Sequence, residues 1–442
     1  MKRGHQRHRR RRERRRPGGL VVAVYAGALS LTGASLGWVV WAGIEQRGIA
    51  LAFGSFIAVG ELTRWGAVTG VGAPPVLGES WGREPAPLGF AGALAYALLG
   101  ECAGRPTTHG ALQAVAVVVA GGLAGAVPHV AHGRGPALDH VVRRVLTVGF
   151  AAVCFQPLYI SGELDRRLGQ GAYYALFLLL VLLLTALCDA VLAAALLRAR
   201  TGYPFGPLLR DELRALLGIG SAVCATGAVM ALAVAVAGLW ALPVFCVPLL
   251  LTHLSFRRYA AVRTTYRQTI TSLARATEIA GYTRPGHARR VAALSTAVGR
   301  EMGLSGPELT VLEYAALMHD IGQLSLVDPV ADGATAALPA AEQRRIALLG
   351  GAVVRQTGAP AAVAVVVEQQ ADPYREQPLP ARIVRAVNAY DDLTGGSGGS
   401  AGGVLTALER LRLGTGHDYQ PEVVESLARV LARGGLAPLP PG

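Results

Sequence analysis

One short stretch of the chain has the residue types of a metal site. His319 and Asp320 are neighbours at the end of an apolar run, residues 312–318. An imidazole and a carboxylate that turn toward the same point suit a divalent cation such as Fe, Mn, Zn or Mg. Only two other histidines follow residue 254, namely His287 and His417. A His-Asp pair alone is weak support for a site, because such pairs are common on protein surfaces.

The sequence around this pair resembles the HD superfamily of metal-dependent phosphohydrolases. Within that superfamily it looks like the HD-GYP branch, whose members hydrolyse the second messenger cyclic di-GMP. The resemblance covers residues 268–431. Five segments carry it, in the family's order: Glu278 nine positions before His287, residues 287–292 (like H-S-x-R-V-A), 318–322 (like L-H-D-I-G), 381–393 (like A-R-I-L-x-V-A-D-x-Y-D-A-L) and 416–424 (like G-x-x-F-D-P-x-V-V).

The resemblance implies a set of site residues. It assigns His287, His319 and Asp320 to one metal, with Glu278 as a further ligand, and it makes Asp320 the candidate catalytic residue. Asn388, the only asparagine in the chain, stands where the family keeps an Asp ligand. A neutral amide oxygen is a poor replacement for a carboxylate, so we expect Asn388 to bind a cation weakly.

Other family positions have changed more completely. Gln323 replaces the Lys after H-D-I-G, residues 345–352 contain no His, and residues 368–370 (Glu-Gln-Gln) replace a pair of His. The Gly-Tyr-Pro loop is missing, and residues 395–400 are a flexible Gly/Ser linker by composition. A two-metal site needs convergent ligands that hold its metals about 3.5–4 Å apart. The sequence therefore predicts at most one metal site, in a degenerate HD-GYP-like domain.

Two interpretations of the surviving residues stay open. In one, His287, His319 and Asp320 hold one weakly bound metal with a fourth ligand, and Asp391 and Asp392 are near enough in sequence to contribute. In the other, the two histidines are hydrogen-bonded core residues that no longer bind metal.

Helical patterns must position these residues. Gly and Pro turn signals separate the patterns, and no strand-type alternation persists. We predict a cytoplasmic all-helical HD-type domain over residues 268–433, with His417 at its surface and a flexible tail at 434–442. The patterns cover residues 287–303, 306–320, 340–356, 359–370, 380–394, 404–413 and 420–433.

The first half of the chain reads as a membrane domain. Hydrophobic residues make up 52% of the chain, charged residues 16%, and the mean hydropathy is +0.39. A soluble protein carries about 25% charged residues, so the composition favours a chain with a membrane domain over a purely soluble one. The fold class is therefore all-α, with a polytopic membrane domain over 20–254 before the HD-type domain. Its eight apolar runs are about 20–43, 48–62, 86–103, 109–130, 145–162, 171–197, 215–238 and 240–254.

The basic residues orient this domain. Ten Lys or Arg against one Glu lie in the first 16 residues, so most of the net charge of +13 belongs to a cytoplasmic tail, residues 1–19. With eight spans, 23 basic residues lie on the inner side and four on the outer side. A six-span version, in which the short second and eighth runs do not span separately, keeps both termini on the same side. The positive-inside rule then places both termini in the cytoplasm of a bacterial cell, with the protein in its plasma membrane. We expect the tail to contact anionic lipid and expect no nucleic-acid partner.

A polar helix is predicted to link the two domains, over residues 255–280. It carries an apolar stripe at heptad-like spacing, which favours a homodimeric stalk; an amphipathic helix packed on its own domain is the alternative. The stripe consists of Val262, Tyr266, Thr269, Leu273, Ala276 and Ala280.

Polar residues inside apolar runs are candidates for function. Asp189 lies deep in the sixth run, where it would bind a ligand or a proton, or bond a neighbouring helix. Glu61 and Glu101 lie near run ends, where we expect them to reach the headgroups. The five cysteines have no CxxC spacing, so neither a disulfide framework nor a zinc site is indicated.

Three functions are compatible with these features. The first is a membrane-anchored signalling protein whose degenerate HD-GYP-like domain binds a nucleotide or a protein partner, with little or no hydrolysis of cyclic di-GMP. The second is an active single-metal phosphohydrolase that acts on a nucleotide or another phosphoester. The third is a transporter-like membrane protein with a vestigial regulatory domain.

Overall fold

The computed structural model describes residues 19–63, 87–131, 138–169, 171–328, 330, 335, 338–395 and 401–434. The predicted basic tail up to residue 18, the Gly/Ser linker from residue 396 and the tail after residue 434 lie outside the described residues. The described chain is helical almost throughout, which confirms the all-α fold class. Its strands form a short antiparallel hairpin, β1 (Glu101–Cys102) with β2 (Arg105–Pro106).

The structure describes 17 α-helices. They are α1 (Gly19–Ala42), α2 (Arg47–Thr63), α3 (Pro87–Ala97), α4 (Ala111–Ala131), α5 (Leu138–Ile160), α6 (Glu163–Leu168), α7 (Ala172–Thr201), α8 (Phe205–Ala215), α9 (Ser221–Ala237), α10 (Ala241–Ile279), α11 (His287–Glu301), α12 (Gly306–Met318), α13 (Ala340–Gln356), α14 (Ala361–Gln369), α15 (Leu379–Thr394), α16 (Ala401–Leu413) and α17 (Pro421–Gly434). A π-helical segment (Leu216–Gly220) and two 3₁₀ segments (Gly238–Trp240 and Ile321–Ser325) complete them.

The chain divides into two compact units, and the division falls between Arg258 and Tyr259 inside α10. In the unit before it, the N-terminal unit, helices lie on all eight predicted apolar runs. α2 and α3 are shorter than a span requires, so the number of spans stays a prediction. The stretches long and apolar enough to cross a membrane are Gly19–Ala42, Ala111–Pro128, Leu138–Ile160, Ala172–Thr201 and Ser221–Ile279.

The outer surface of α7 is apolar. Leu176, Leu179 and Leu183 are each about 60% exposed, although a soluble protein would bury such side chains. The same helix buries Leu178, Val181 and six alanines or leucines further along against the rest of the unit. A helix that is apolar on both faces is typical of a bundle surrounded by lipid.

Glycines let α2, α3 and α4 approach each other closely. A Cβ atom on Gly60 would lie 2.3 Å from the backbone nitrogen of Gly89, and one on Gly121 would lie 2.7 Å from the carbonyl oxygen of Gly54. Such distances leave no room for a side chain. Small residues at helix contacts are a common way to pack helices in a membrane, where apolar side chains gain little by leaving lipid.

Ion pairs connect α5 with its neighbours in this unit. Asp189 on α7 accepts hydrogen bonds from Arg143 at 3.1 and 2.5 Å and from the Thr147 hydroxyl at 3.3 Å, so it bonds a neighbouring helix. Glu61 is buried and pairs with Arg144. The expectation that Glu61 reaches the headgroups is therefore wrong: a buried arginine lies within reach and compensates the carboxylate inside the unit.

The C-terminal unit begins at Tyr259 and has its own apolar core, formed by helices α11 to α17 together with the end of α10. The predicted linker helix is not a separate element, because no Gly or Pro follows Pro248 before Gly281 and α10 runs unbroken to Ile279. Ile270 and Ala274 bury its inner face in this core, whereas Val262 of the predicted stripe is 68% exposed.

Candidate metal centre

Two helix ends bring the candidate ligands together. His287 is the first residue of α11, directly after Gly286, whose positive φ turns the chain into the helix. His319 is the C-cap residue of α12. Asp320 follows it with backbone angles φ of −100° and ψ of 3°, directly before the 3₁₀ segment. All three side chains are at most about 5% exposed. The site is therefore formed where α11 and α12 meet inside the C-terminal unit.

Gly322 explains why the segment after Asp320 lies so close to α13. A Cβ atom at position 322 would lie 2.0 Å from the carbonyl oxygen of Ile346 and 2.7 Å from the backbone nitrogen of Gly350. Only glycine fits this contact between the 3₁₀ segment and α13. The contact fixes the backbone two residues after Asp320 and thus helps to position the His-Asp pair.

The three potential ligand atoms form a nearly equilateral triangle. His287 Nε2 lies 3.3 Å from His319 Nε2 and 3.3 Å from Asp320 Oδ2, and His319 Nε2 lies 3.2 Å from Asp320 Oδ2. Two ligand atoms bound at about 2.1 Å to one cation, at right angles to each other, lie about 3.0 Å apart. The observed triangle is close to this arrangement. Among the described residues, this is the one group of His, Cys, Asp and Glu side chains that could hold a metal.

The outward-facing ring nitrogens of both histidines have acceptors. His287 Nδ1 lies 2.7 Å from Asp391 Oδ2, and His319 Nδ1 lies 2.9 Å from the carbonyl oxygen of Ala316. Carboxylate and carbonyl oxygens only accept, so each Nδ1 carries a proton and donates. With a metal ion bound, both rings would be neutral and each would present the lone pair of its Nε2 to the site. Metal-binding histidines are commonly oriented in this way.

Arg290 fixes Asp391 in turn. Its Nε and Nη2 atoms each donate to one carboxylate oxygen of Asp391, both at 2.9 Å. Arg290 lies one turn after His287 on α11, so the arginine and the histidine share a single carboxylate on α15. A bidentate guanidinium–carboxylate pair has a defined geometry and therefore restricts the rotation of His287.

Charge interactions shift the pKa values of these groups. Burial lowers the pKa of His287, but its hydrogen bonds to Asp320 and Asp391 outweigh burial and raise the pKa to about 10. Burial raises the pKa of Asp320, yet the two histidines hold it well below its usual range. The pKa of Asp391 is also lowered, because His287 and Arg290 outweigh burial. The pocket thus favours ionised carboxylates and a positive charge among them.

Several buried oxygen atoms of candidate ligands and of one neighbour accept no hydrogen bond, although buried acceptors are normally satisfied. They are Glu278 Oε1, Asn388 Oδ1 and Asp392 Oδ2. A divalent cation would satisfy such oxygen atoms, and hard divalent cations prefer oxygen ligands. The residues present therefore fit a bound cation.

Not every predicted ligand joins the triangle. Glu278 and Asn388 are not part of the three-residue group, and the amide nitrogen of Asn388 donates to the Thr335 hydroxyl at 3.4 Å. Burial raises the pKa of Asp392 to about 6. His417, by contrast, has a side chain that is 90% exposed, as expected for a surface residue.

Three side chains that the predicted HD-GYP resemblance sets against a histidine or a lysine are paired or buried. Gln370 Nε2 donates to the backbone oxygen of His319 at 2.8 Å, so it supports the backbone of this candidate ligand. Glu368 pairs with Arg355 on α13. Gln323 is completely buried. None of the three side chains carries an imidazole or an ammonium group.

Residues 284–393 match the family model described as the HD domain. The match supports the HD superfamily for this part of the chain. His287, His319, Asp320 and Asn388 lie inside the HD-matching segment, and Glu278 precedes it. No curated protein and no solved structure gives a significant match.

The sequence alone did not reveal the Arg290–Asp391 pair. These residues are 101 positions apart, and arginines are so numerous in this chain that a single one carries little information. One local signal existed: Arg290 follows His287 at the i, i+3 spacing that places two side chains on one helix face.

Proposed function

We propose that this chain is a membrane-anchored protein whose HD-type site holds one divalent cation and hydrolyses a phosphoester. The triangle formed by His287, His319 and Asp320 is the observation that carries the proposal. The Asp320 carboxylate and the two Nε2 atoms lie within 3.3 Å of one another, and such a group attracts a positive charge. The raised pKa of His287 shows the same preference, and a divalent cation would take the place of its proton. The long apolar helices of the N-terminal unit support the membrane anchor.

A bound cation would polarise a phosphoryl oxygen and lower the pKa of a coordinated water molecule. The residues of this chain would provide the rest. His287 is oriented by Asp391, His319 is oriented by the carbonyl of Ala316, and Asp320 contributes the negative charge that a cation requires. Burial of all three restricts access of bulk water to the ligands.

The resemblance to HD-GYP proteins favours a nucleotide phosphoester as the substrate class, with cyclic di-GMP as one member to test. The residues that would hold further metals in that branch are replaced, so activity would rely on one cation. We therefore expect slow turnover compared with a two-metal phosphodiesterase.

A regulatory role without turnover is the second candidate. The position of Asn388 favours it, because a neutral amide that bonds Thr335 replaces a carboxylate ligand. In that case the site would keep its cation as a structural or nucleotide-binding element. A homodimer through residues 255–280 would suit such a role, since Tyr259 and Val262 on α10 are 69% and 68% exposed.

Full-length protein in detergent tests the proposal. Its metal content is measured by mass spectrometry, and release of phosphate or nucleotide is followed with bis-p-nitrophenyl phosphate, a nucleoside monophosphate and cyclic di-GMP. We expect about one cation per chain and turnover that His319→Ala abolishes, whereas His417→Ala leaves both unchanged. A cation without turnover supports the regulatory candidate. Absence of any cation after incubation with Mn²⁺, Fe²⁺, Zn²⁺ or Mg²⁺ contradicts both.

A further inference from the structure

A pocket of about 550 Å³ lies in the N-terminal unit, away from the metal centre. Its walls come from three places: the turn between α1 and α2, the β1–β2 hairpin, and the 3₁₀ segment between α9 and α10. This volume is in the range of small-molecule binding sites. The proposed function leaves the pocket without a role.

Two arginines give the pocket its charge. Arg47 at the start of α2 and Arg105 in β2 both line it, and none of the eight lining residues is acidic. Within the described part of the chain, neither guanidinium forms a hydrogen bond or an ion pair. Two guanidinium groups that line one pocket without an acidic lining residue are suited to a carboxylate or a phosphate.

The rest of the lining is largely apolar. Ile49, Cys102 and Leu239 contribute side chains to it, and the neighbouring Trp240 is 81% exposed. Exposed tryptophans are typical of the membrane–water interface. A ligand that satisfies both parts of the lining has an anionic group and an apolar chain.

The backbone around the pocket adopts an unfavourable conformation at two positions. Gln46 and Ala103 line the pocket and have φ angles of 47° and 51°, and they are the non-glycine residues with positive φ in the described part of the chain. This conformation costs free energy in residues with a Cβ atom. Such residues concentrate at binding sites. Both residues border the same pocket, and this supports a binding role for the pocket.

Hydrogen bonds hold these walls in place. Gln46 Nε2 donates to the carbonyl oxygen of Pro106 at 3.1 Å, and Gln46 Oε1 accepts from the backbone of Thr108 at 3.3 Å. The backbone nitrogen of Ala103 donates to Val234 at 3.1 Å. The pocket is therefore largely formed before a ligand enters, which reduces the entropic cost of binding.

We infer that this pocket binds an anionic amphiphile, with its carboxylate or phosphate at Arg47 and Arg105 and its apolar chain on the rest of the lining. Two sources have this chemistry: an anionic phospholipid of the surrounding membrane and a free organic acid or phosphate monoester. The inference is independent of the proposed activity of the metal centre.

The test uses full-length protein in phosphatidylcholine nanodiscs. Calorimetric titration with hexyl phosphate and with hexanoate probes the free ligand. Native mass spectrometry of protein from nanodiscs with 30% phosphatidylglycerol probes the lipid. The pocket variants are Arg47→Gln, Arg105→Gln and their combination, and the matched control is Arg166→Gln with Arg167→Gln on the exposed helix α6.

We expect wild-type protein to bind at least one of the probes, and the double pocket variant to bind it about tenfold or more weakly. The control should stay within about twofold of wild type. An unchanged thermal midpoint without ligand shows that each variant is folded, and the single variants replace the double one if it is not. Wild-type protein that binds neither probe, or pocket variants that bind as wild type does, overturn the inference.

Discussion

Asp391 lies 2.7 Å from His287 and accepts the proton of its Nδ1, which leaves Nε2 of His287 facing His319 and Asp320. The carboxylate does not belong to the ligand triangle itself. It decides which tautomer His287 adopts and which way the ring points. The positioning of the site thus depends on α15 as well as on α11 and α12.

Asp391→Asn should weaken cation binding about 10- to 100-fold, which is the usual loss of affinity when a hydrogen-bond partner of a metal ligand is replaced. The amide keeps the shape of the side chain but removes the charge that supports His287. Competition with a fluorescent chelator measures the affinity. Arg290→Gln is the matched variant, because it removes only the two hydrogen bonds that hold Asp391. It should reduce the cation affinity less than Asp391→Asn does. Equal affinity in wild type and Asp391→Asn would show that Asp391 has no positioning role.

Asn388→Asp should strengthen cation binding by about tenfold, because it returns a carboxylate to a buried position on α15 where the present side chain offers a neutral oxygen. The same chelator competition gives the change. Asn388→Ala controls for the loss of the contact with Thr335 and should show no gain. If both variants bind alike, position 388 does not face the cation.

Gly322→Ala should destabilise the C-terminal unit by about 1–3 kcal/mol, because the new Cβ atom overlaps the backbone of α13. It should also reduce the cation content, since the His-Asp pair moves with the 3₁₀ segment. Thermal unfolding and metal analysis report the two effects. Gly206→Ala on α8 adds a methyl group where nothing lies within 4 Å, so it should change neither.

Much of the site was predictable from residue types and spacing. The assignment of His287, His319 and Asp320 to one place followed from a resemblance carried by contiguous motifs, and the structure brings those three side chains together. Contacts between distant elements were not predictable. The pairs Arg290–Asp391 and Glu61–Arg144 depend on how helices pack, and neither spacing nor composition encodes that packing.

For the fold as well, local sequence patterns were predictable and other features were not. Predicted helices over 287–303 and 340–356 correspond closely to α11 and α13, because Gly, Pro and apolar periodicity mark their ends. The short helices α6 and α8 had not been predicted, since both are polar and lie between longer apolar runs. The continuity of α10 was also missed, because its change from apolar to polar residues looked like a boundary.

Glu301 provides a prediction about pH. Arg429 and Arg433 on α17 lie 2.9 and 2.7 Å from its carboxylate at the end of α11. Burial raises the pKa of Glu301, but the two arginines outweigh it and lower the pKa below its usual value. The ionised form is therefore favoured in the folded state, so this contribution to stability is present above the usual carboxyl pKa of 4.5 and is lost as the pH falls through the lowered value.

Hydrogen exchange of the α17 amides, corrected for intrinsic rates, measures this effect in the full chain. Protection should be higher at pH 7 than at pH 4 in wild type. Glu301→Gln should reduce protection at pH 7 and make it less dependent on pH. Glu425→Gln, which removes an exposed pair with Arg412, is the control and should change protection less. A Glu301→Gln protein with wild-type pH dependence contradicts the assignment.

The three ligands come from positions 287, 319 and 320, and the partner that orients the first lies at 391. An unfolded chain cannot hold these groups within 3.3 Å of one another, so a cation that binds them binds the folded state almost exclusively. Mass action then couples the two equilibria: a free cation at 100 times its Kd adds about 2.7 kcal/mol to the free energy of unfolding. Whether or not the site turns over a substrate, the cation concentration would set how much of the C-terminal unit stays folded at elevated temperature.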